Sequence, residues 1–308
     1  MAKRKLLKID LFLSEMDQVI PWSRLCDIIT PYYYGATKTG LRRYDTLLML
    51  KIYCLQQWQN LSDPGVEEAI YDRSSFQRFL ERDIFSLQIP DETSILNFRH
   101  LLEKHRLDQQ ILSEVNAYLD EQGLVMKEGT VVDATLLPAP VSKKNTNKER
   151  DPEMSSTKKN NKWYFGAKGH IGVQAEGKPI IHSVDYTTAK QHDIKSMDKL
   201  FHGEEKAIFG DSAYNSNDDK REKRAENVYY GISDKGTRRR CLSTKQKKKN
   251  RKHSSIRAKV EHPFRIIKPL WGHAKLRYKG LMKNAVQFTT LCALQNIYVC
   301  RKELIATG

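Results

Sequence analysis

Near Gly129 the spacing of apolar residues changes from a helical to a strand period, and the order of segments beyond it leaves few topologies open. The first strand is read over 130–137, where Asp133 interrupts a run of Val131, Val132, Leu136 and Leu137. A polar, basic loop covers 142–162. Strands at 163–174 and 179–187 follow, joined by the turn Glu176-Gly177-Lys178. A helix at 193–201, a strand at 206–211, a polar helix at 218–225 and a strand at 227–232 come next. The chain then crosses a basic run and closes in helices. The last, over roughly 284–303, is apolar nearly all round and is expected to lie buried against the sheet.

Residues 1 to 125 read as a separate all-α domain and 126–308 as the domain that holds the sheet and the basic segment 235–259. In the first part Tyr44, Leu47, Leu48, Leu55 and Trp58 fall at helical spacing. Asp63-Pro64 reads as a helix start with Asp63 as N-cap, and Pro90 to Ser94 as a second. A third helix, near 107–119, ends at Gly123. This part carries no catalytic cluster. It reads either as a packing domain or as a helix-turn-helix surface for DNA ends, with 71–79 as the stretch to test for phosphate contact.

Charge narrows the partner. Lys and Arg number 53 against 37 Asp and Glu, a formal net charge of +16. Such an excess repels itself and calls for a polyanion. Within 235–259 stand Lys235, Arg238, Arg239, Arg240, Lys245, Lys247, Lys248, Lys249, Arg251, Lys252, Arg257 and Lys259, with no acid among them. No apolar stripe accompanies the run, which favours phosphate contact over a membrane surface. The five cysteines form no C-x-x-C pair, arguing against a disulfide framework and a zinc ribbon and for a reducing compartment. No signal peptide or membrane span is read, so the expected location is the cytoplasm.

Three acids then stand out: Asp133, Asp211 in Phe209-Gly210-Asp211-Ser212, and Glu261 in Val260-Glu261-His262-Pro263. Three antiparallel strands, a helix, a strand, a helix and a strand match a ribonuclease H-like domain, a mixed five-stranded sheet flanked by helices. In that order the first and fourth strands are neighbours, about 4.8 Å apart, so Asp133 and Asp211 can share a cation. Two magnesium ions held by carboxylates and phosphate oxygens are the expected cofactors, with Glu261 as the remaining ligand. Arg257, Glu261, Arg265 and Lys268 are spaced to share one helical stripe, which suits a site for both metal and phosphodiester. Pro263 requires either a kink beside Glu261 or a helix that starts near it. Any one of these acids alone is more often structural; together, in this order and with this charge, they point to a metal-dependent enzyme acting on nucleic acid. Trp163 and Trp271 are candidates for base stacking, with core packing the expected role of each. Asp193 is read as a helix N-cap or a neighbour of the metals. His170 and His182 lack a second ligand at metal spacing.

At this point the chain resembles DDE transposases of the insertion-sequence-five family within the insertion-sequence-four group. The resemblance rests on Leu61-Ser62-Asp63-Pro64, Phe76-Gln77-Arg78-Phe79 and 89–99 in the first part, and in the second on Val132-Asp133-Ala134-Thr135, 163–168, 210–214 and Arg277-Tyr278-Lys279-Gly280-Leu281. Arg257, Glu261 and Lys268 match the group's Tyr-x2-Arg-x3-Glu-x6-Lys signature, whose tyrosine position is Ser254 here. The resemblance implies that Asp133, Asp211 and Glu261 are catalytic and hold two Mg²⁺ ions, with Mn²⁺ able to substitute. It implies that Arg257 and Lys268 contact phosphates near the transposon end; Arg265, Lys247, Lys248, Lys249, Arg238, Arg239 and Arg240 are the further DNA-binding candidates. The implied reaction is cleavage at terminal inverted repeats and transfer of the 3′-OH into target DNA, by a homodimer on DNA in the bacterial cytoplasm, associated with the nucleoid. The alternatives are a DNA-binding repressor that no longer cuts and a plain metal-dependent nuclease.

Overall fold

A computed structural model of the chain describes residues 7–34, 44–81, 88–143, 149–159, 161–236 and 241–307. The chain forms two compact units, Met1–Gln122 with Ile297–Gly308, and Gly123–Asn296. The first is helical: α1 (Lys8–Val19), α2 (Trp22–Tyr34), α3 (Thr46–Trp58), α4 (Asp63–Asp72), α5 (Ser74–Phe79), α6 (Glu92–His105) and α7 (Leu107–Glu121). α3 is buried on nearly every side, and Asp45 caps it by accepting from the Leu48 N–H at 3.2 Å. Asp91 caps α6 in the same way. At α4 the cap is Ser62, whose Oγ accepts from the Gly65 N–H, and Asp63 is the first helical residue. Asp63 differs from the expected N-cap because its carboxylate is taken by Arg99 (2.8 Å) and Gln56 (2.7 Å). Arg99, itself buried, also donates to Glu103.

The second unit holds β1 (Gly129–Pro138), β2 (Ser155–Lys159), β3 (Lys162–Gln174), β4 (Ile181–Thr188), β5 (Ala207–Gly210), α8 (Asn217–Ala225), β6 (Tyr229–Ile232), α9 (Thr244–Arg257), α10 (Glu261–Arg265) and the start of α11 (Leu281–Thr307). The six strands form one mixed sheet in the order β2-β3-β1-β5-β6, with β4 also paired to β3. β1 and β3 are antiparallel, and β1, β5 and β6 are mutually parallel. With its flanking helices and the helical region before it, this is the expected ribonuclease H-like α/β architecture. It has one strand more than expected, because part of the supposed basic loop (β2) pairs with β3 through Thr157 and Tyr164.

Two other segments differ from the reading. The expected helix at 193–201 is a pair of 3-10 turns, Asp193–Ser196 and Asp198–Leu200. Its two buried apolar residues, Met197 and Leu200, are three apart and both join the core with Val132, Ile208 and Tyr214, a 3-10 period. The basic run, for which no helix was expected, contains α9, opened by a capping box of Ser243 and Gln246. α11 is buried as expected: Phe288 lies where a Cβ at Gly169 would fall, and Asn296 bonds both the N–H (2.8 Å) and the C=O (2.7 Å) of Ile181. No described helix is long and apolar enough to cross a membrane.

The two candidate tryptophans part company. Trp271 is 4% exposed, in the core as expected, whereas Trp163 is 72% exposed on β3 and packs into no core. Trp271→Ala should therefore destabilise the protein by about 3–5 kcal/mol. Trp163→Ala should shift it by less than ~0.5 kcal/mol, both read from urea midpoints.

Candidate active site

The parallel ladder between β1 and β5 sets Thr130 opposite Ile208 and Val131 opposite Phe209. Carried two residues further along both chains, the same register sets Asp133 beside Asp211. Asp211 directly follows β5, its backbone still extended (φ −78°, ψ 177°). Alternation puts both carboxylates on the sheet face of Val131 and Phe209. The close approach depends on Gly210, where an added Cβ would fall 2.8 Å from Ile232 Cδ1 and 2.9 Å from Val132 Cγ2.

Asp133 is half-buried, and burial together with the charge of Asp211 raises its pKa to about 6. The Ala134 N–H, donating to Oδ1 at 2.8 Å, and the charges of Arg257 and Lys159 pull the other way. Asp211 accepts from the Ala213 N–H at 2.8 Å and so caps a 3-10 turn, Ser212–Tyr214. Two carboxylates that repel one another in a half-buried position are a donor set suited to a hard divalent cation, which takes oxygen ligands and removes the repulsion.

Glu261 is placed otherwise. It opens α10 in exposed surroundings and accepts from Arg265 Nη2 at 3.3 Å. Among the described residues no three His, Cys, Asp or Glu side chains gather into a group able to hold a metal ion. Asp133 and Asp211 are brought together; Glu261 is not gathered with them. The expected stripe of Arg257, Glu261, Arg265 and Lys268 is divided as well. Arg257 turns inward to donate to Ser233 Oγ at 3.1 Å, and Lys268 Nζ donates to the Leu136 C=O at 2.6 Å, while Glu261 and Arg265 face outward. Winding explains the split. α9 ends in a 3-10 turn, Ala258–Val260, and α10 runs into a π turn, Ile266–Leu270, so the angular step changes twice along the segment. Pro263 is accommodated in the first turn of α10, where its missing N–H costs least.

The cations are unequal. Burial and the neighbouring charge of Lys159 lower the pKa of Lys268 to about 8, with Asp133 opposing. Lys247 and Lys248 are exposed on α9, but Lys249 Nζ lies 3.8 Å from Asp234. Arg238, Arg239 and Arg240 lie outside the described residues. α9 is anchored by its buried His253, whose Nε2 is 2.9 Å from Tyr229 Oη and whose ring packs edge-on against Phe209. Asp193 is not an N-cap, a position His192 takes, and its carboxylate accepts from Lys168 at 2.8 Å. His170 and His182 are held neutral by burial and bond to Thr187 and Thr130. The sequence reading missed Lys159 and Lys168. Lys159 is brought near Asp133 only by the hairpin of β2 and β3, whereas Lys168 follows Gly166-Ala167 in a strand that was identified.

A mixed sheet that sets Asp133, midway along β1, beside the acid that follows β5, with the charges of Arg257, Lys159 and Lys268 acting near it, is the ribonuclease H-like arrangement. A family model described as Transposase DDE domain matches residues 126–297, more than half of the chain, and one described as Transposase domain (DUF772) matches residues 2–101. The chain thus belongs to the DDE transposase family and is a DNA-processing enzyme whose partner is DNA.

The raised pKa of Asp133 sets the sign of a stability change. An acid at about 6 in the folded protein and about 3.9 unfolded costs nothing below pH 4. The cost grows as pH rises between those values and is constant above the upper one. Asp133→Asn should therefore stabilise the metal-free protein at pH 7.5 or so by up to about 3 kcal/mol, with the gain vanishing below about pH 4. Thermal melts across that range check it.

Proposed function

We propose that this chain is a transposase of the insertion-sequence-five type, which cleaves the terminal inverted repeats of its element and joins the freed 3′-OH to target DNA. The observation that carries the reading is the parallel register that sets Asp133 beside Asp211 amid cations, in a chain that both transposase models match. Magnesium, two ions with manganese as a substitute, is the proposed cofactor. Asp133 and Asp211 would hold it, joined by Glu261 once that side chain exchanges its exposed pair with Arg265, an interaction worth little. When bound, the metal supplies charge stabilisation at the reacting phosphate and lowers the pKa of the attacking water.

The protein's own residues then have separable tasks. Arg257 and Lys268, turned inward beside the acids, hold the phosphate of the transposon end and orient it for in-line attack. At pH 7 Lys268 is still mostly protonated, and its hold weakens as pH rises through about 8. Lys247 and Lys248 on α9, with Arg265, track the backbone further out, and Arg238 to Arg240 are further proposed DNA contacts. The helical domain 1–125 binds the ends, and a homodimer brings two ends together. A second reading has an observation in its favour: Glu261 stands apart from the other two acids, as it could in a DNA-binding protein that no longer cuts.

Purified protein with Mg²⁺ and DNA carrying the element's repeats separates the readings. Cutting at the ends followed by joining supports the transposase; binding alone supports the repressor; cutting without joining supports a nuclease. Asp133→Asn and Asp211→Asn should keep end binding and lose roughly 10³-fold or more of cleavage, the loss of several kcal/mol of transition-state stabilisation. Undiminished cutting by either variant would remove it from the catalytic set.

Salt dependence tests the basic helix. Replacing both Lys247 and Lys248 with Ala should reduce the slope of log K against log salt by about two, at roughly 0.9 per phosphate contact. Lys249→Ala, already close to Asp234, should change it less.

A further inference from the structure

Beyond the carboxyl ends of β5 and β6 lies a cavity of about 630 Å³. Ser212 and Ala213, which directly follow Asp211, form part of its wall, so it abuts the second acid of the pair. Its lining is hydroxyl, amide and charged: Asn215, Asn217 and Gln246 join the serine, and there is little apolar surface for a hydrophobic ligand to bury. Three of its charges are already matched. Lys168 donates to Asp193 at 2.8 Å and to the Gln191 C=O at 2.7 Å, and Asp234 lies 3.8 Å from Lys249. Lys220 and Lys235 have no ion-pair partner among the described residues, so the cavity presents two uncompensated positive charges to whatever enters it.

Strand alternation says where this cavity stands relative to the proposed transposon-end contacts. Asp133 pairs with Ile171 in the β1–β3 ladder and shares its face. Lys168 pairs with Leu136 and lies on the other face, that of Val132, where the 3-10 turn carrying Asp193 packs. Arg257, whose positive charge acts against the raised pKa of Asp133, comes from α9, whose His253 packs on Phe209. The carboxylate pair thus has one group of cations on its own sheet face, while the cavity meets the strand ends between Gln246 of α9 and, from the opposite face, Lys168 with Asp193.

A strand-transfer reaction needs two DNA substrates, and each brings its own run of phosphates. We propose that this cavity seats the target DNA backbone, with Lys220 and Lys235 holding its phosphates and Ser212, Asn217 and Gln246 meeting sugar and phosphate oxygens. This rests on the strand-transfer reading given above. In the joining step the 3′-hydroxyl oxygen of the element bonds to a target phosphorus and that phosphorus loses its bond to the target 3′ oxygen. The proton lost by the attacking hydroxyl is matched by the one gained by the departing oxygen. One phosphodiester replaces another, and no further reactant is consumed. The amides and hydroxyls meet groups common to every sequence, so the cavity contributes to holding target DNA without choosing it.

Two measurements test the proposal. In the first, the Lys220→Ala/Lys235→Ala double variant is given repeat-bearing DNA and a target plasmid. The ratio of joined product to cleaved ends should fall about tenfold, and the Lys→Arg pair at the same positions should restore most of it. A ratio equal to that of the unmodified protein, or no recovery with Arg, overturns the proposal. In the second, fluorescence anisotropy follows a labelled duplex that lacks the repeats. The double variant should lower the salt slope by about two, and by the same amount when Lys247 and Lys248 are already Ala. An unchanged slope overturns the proposal. This binding measurement is readable even if the unmodified protein neither cuts nor joins, an outcome that would reject the transposase reading itself.

Discussion

The hydrogen-bonded pairing of β1 with β5 is the constraint on which the rest of the site depends. Because the two strands are parallel and in register, acids 78 residues apart in sequence reach the same level of the sheet and the same face. A slip of one residue in either strand would turn one acid to the opposite face. Packing guards against that slip. Val132 and Ile208 alternate with the acid-bearing face and are buried together with Tyr214, Tyr230 and Ile232 on the other. Gly210 allows this packing to be close, and Tyr230 Oη, donating to the Tyr214 C=O at 2.9 Å, ties β6 to the turn that begins at Asp211.

Electrostatics around the pair follow from that geometry. The fold brings two carboxylates close enough to raise the pKa of one, and offsets the cost in part with the Ala134 N–H and with nearby cations. Arg257 and Lys268 are both drawn inward, each satisfied by a neutral oxygen and not by a carboxylate. Their charges therefore stay available to a phosphate. α9 carries the same logic outward: a helix that is polar on almost every side buries one ring, His253, between Phe209 and Tyr229 and leaves Lys247 and Lys248 to solvent.

Much of the fold was legible because its signals are local. The turn Glu176-Gly177-Lys178 marked off 163–174, now most of β3, and the apolar run marked β1; the adjacency of β1 and β5 followed from element order. The gaps are equally specific. β2 carries Ser155-Ser156-Thr157-Lys158-Lys159, with no apolar alternation to mark a strand, and forms only because β3 offers it an edge. The capping box of α9 was present in Ser243 and Gln246, but the density of lysine masked a helix that has almost no apolar face. Trp163 was expected in a core on residue type, yet its position at the exposed end of β3 leaves it in solvent.

By itself the sequence determined the class of sheet, the places of Asp133 and Asp211 on it, and the excess of positive charge, because strand order, period and composition are all written along the chain. Only the tertiary structure decided which charges act together. Two changes of helical winding send Arg257 and Lys268 inward and leave Glu261 with Arg265, and the strand ends enclose a polar cavity with unmatched lysines. Such details depend on a few tens of degrees of helical rotation and on contacts between distant segments, and residue spacing fixes neither.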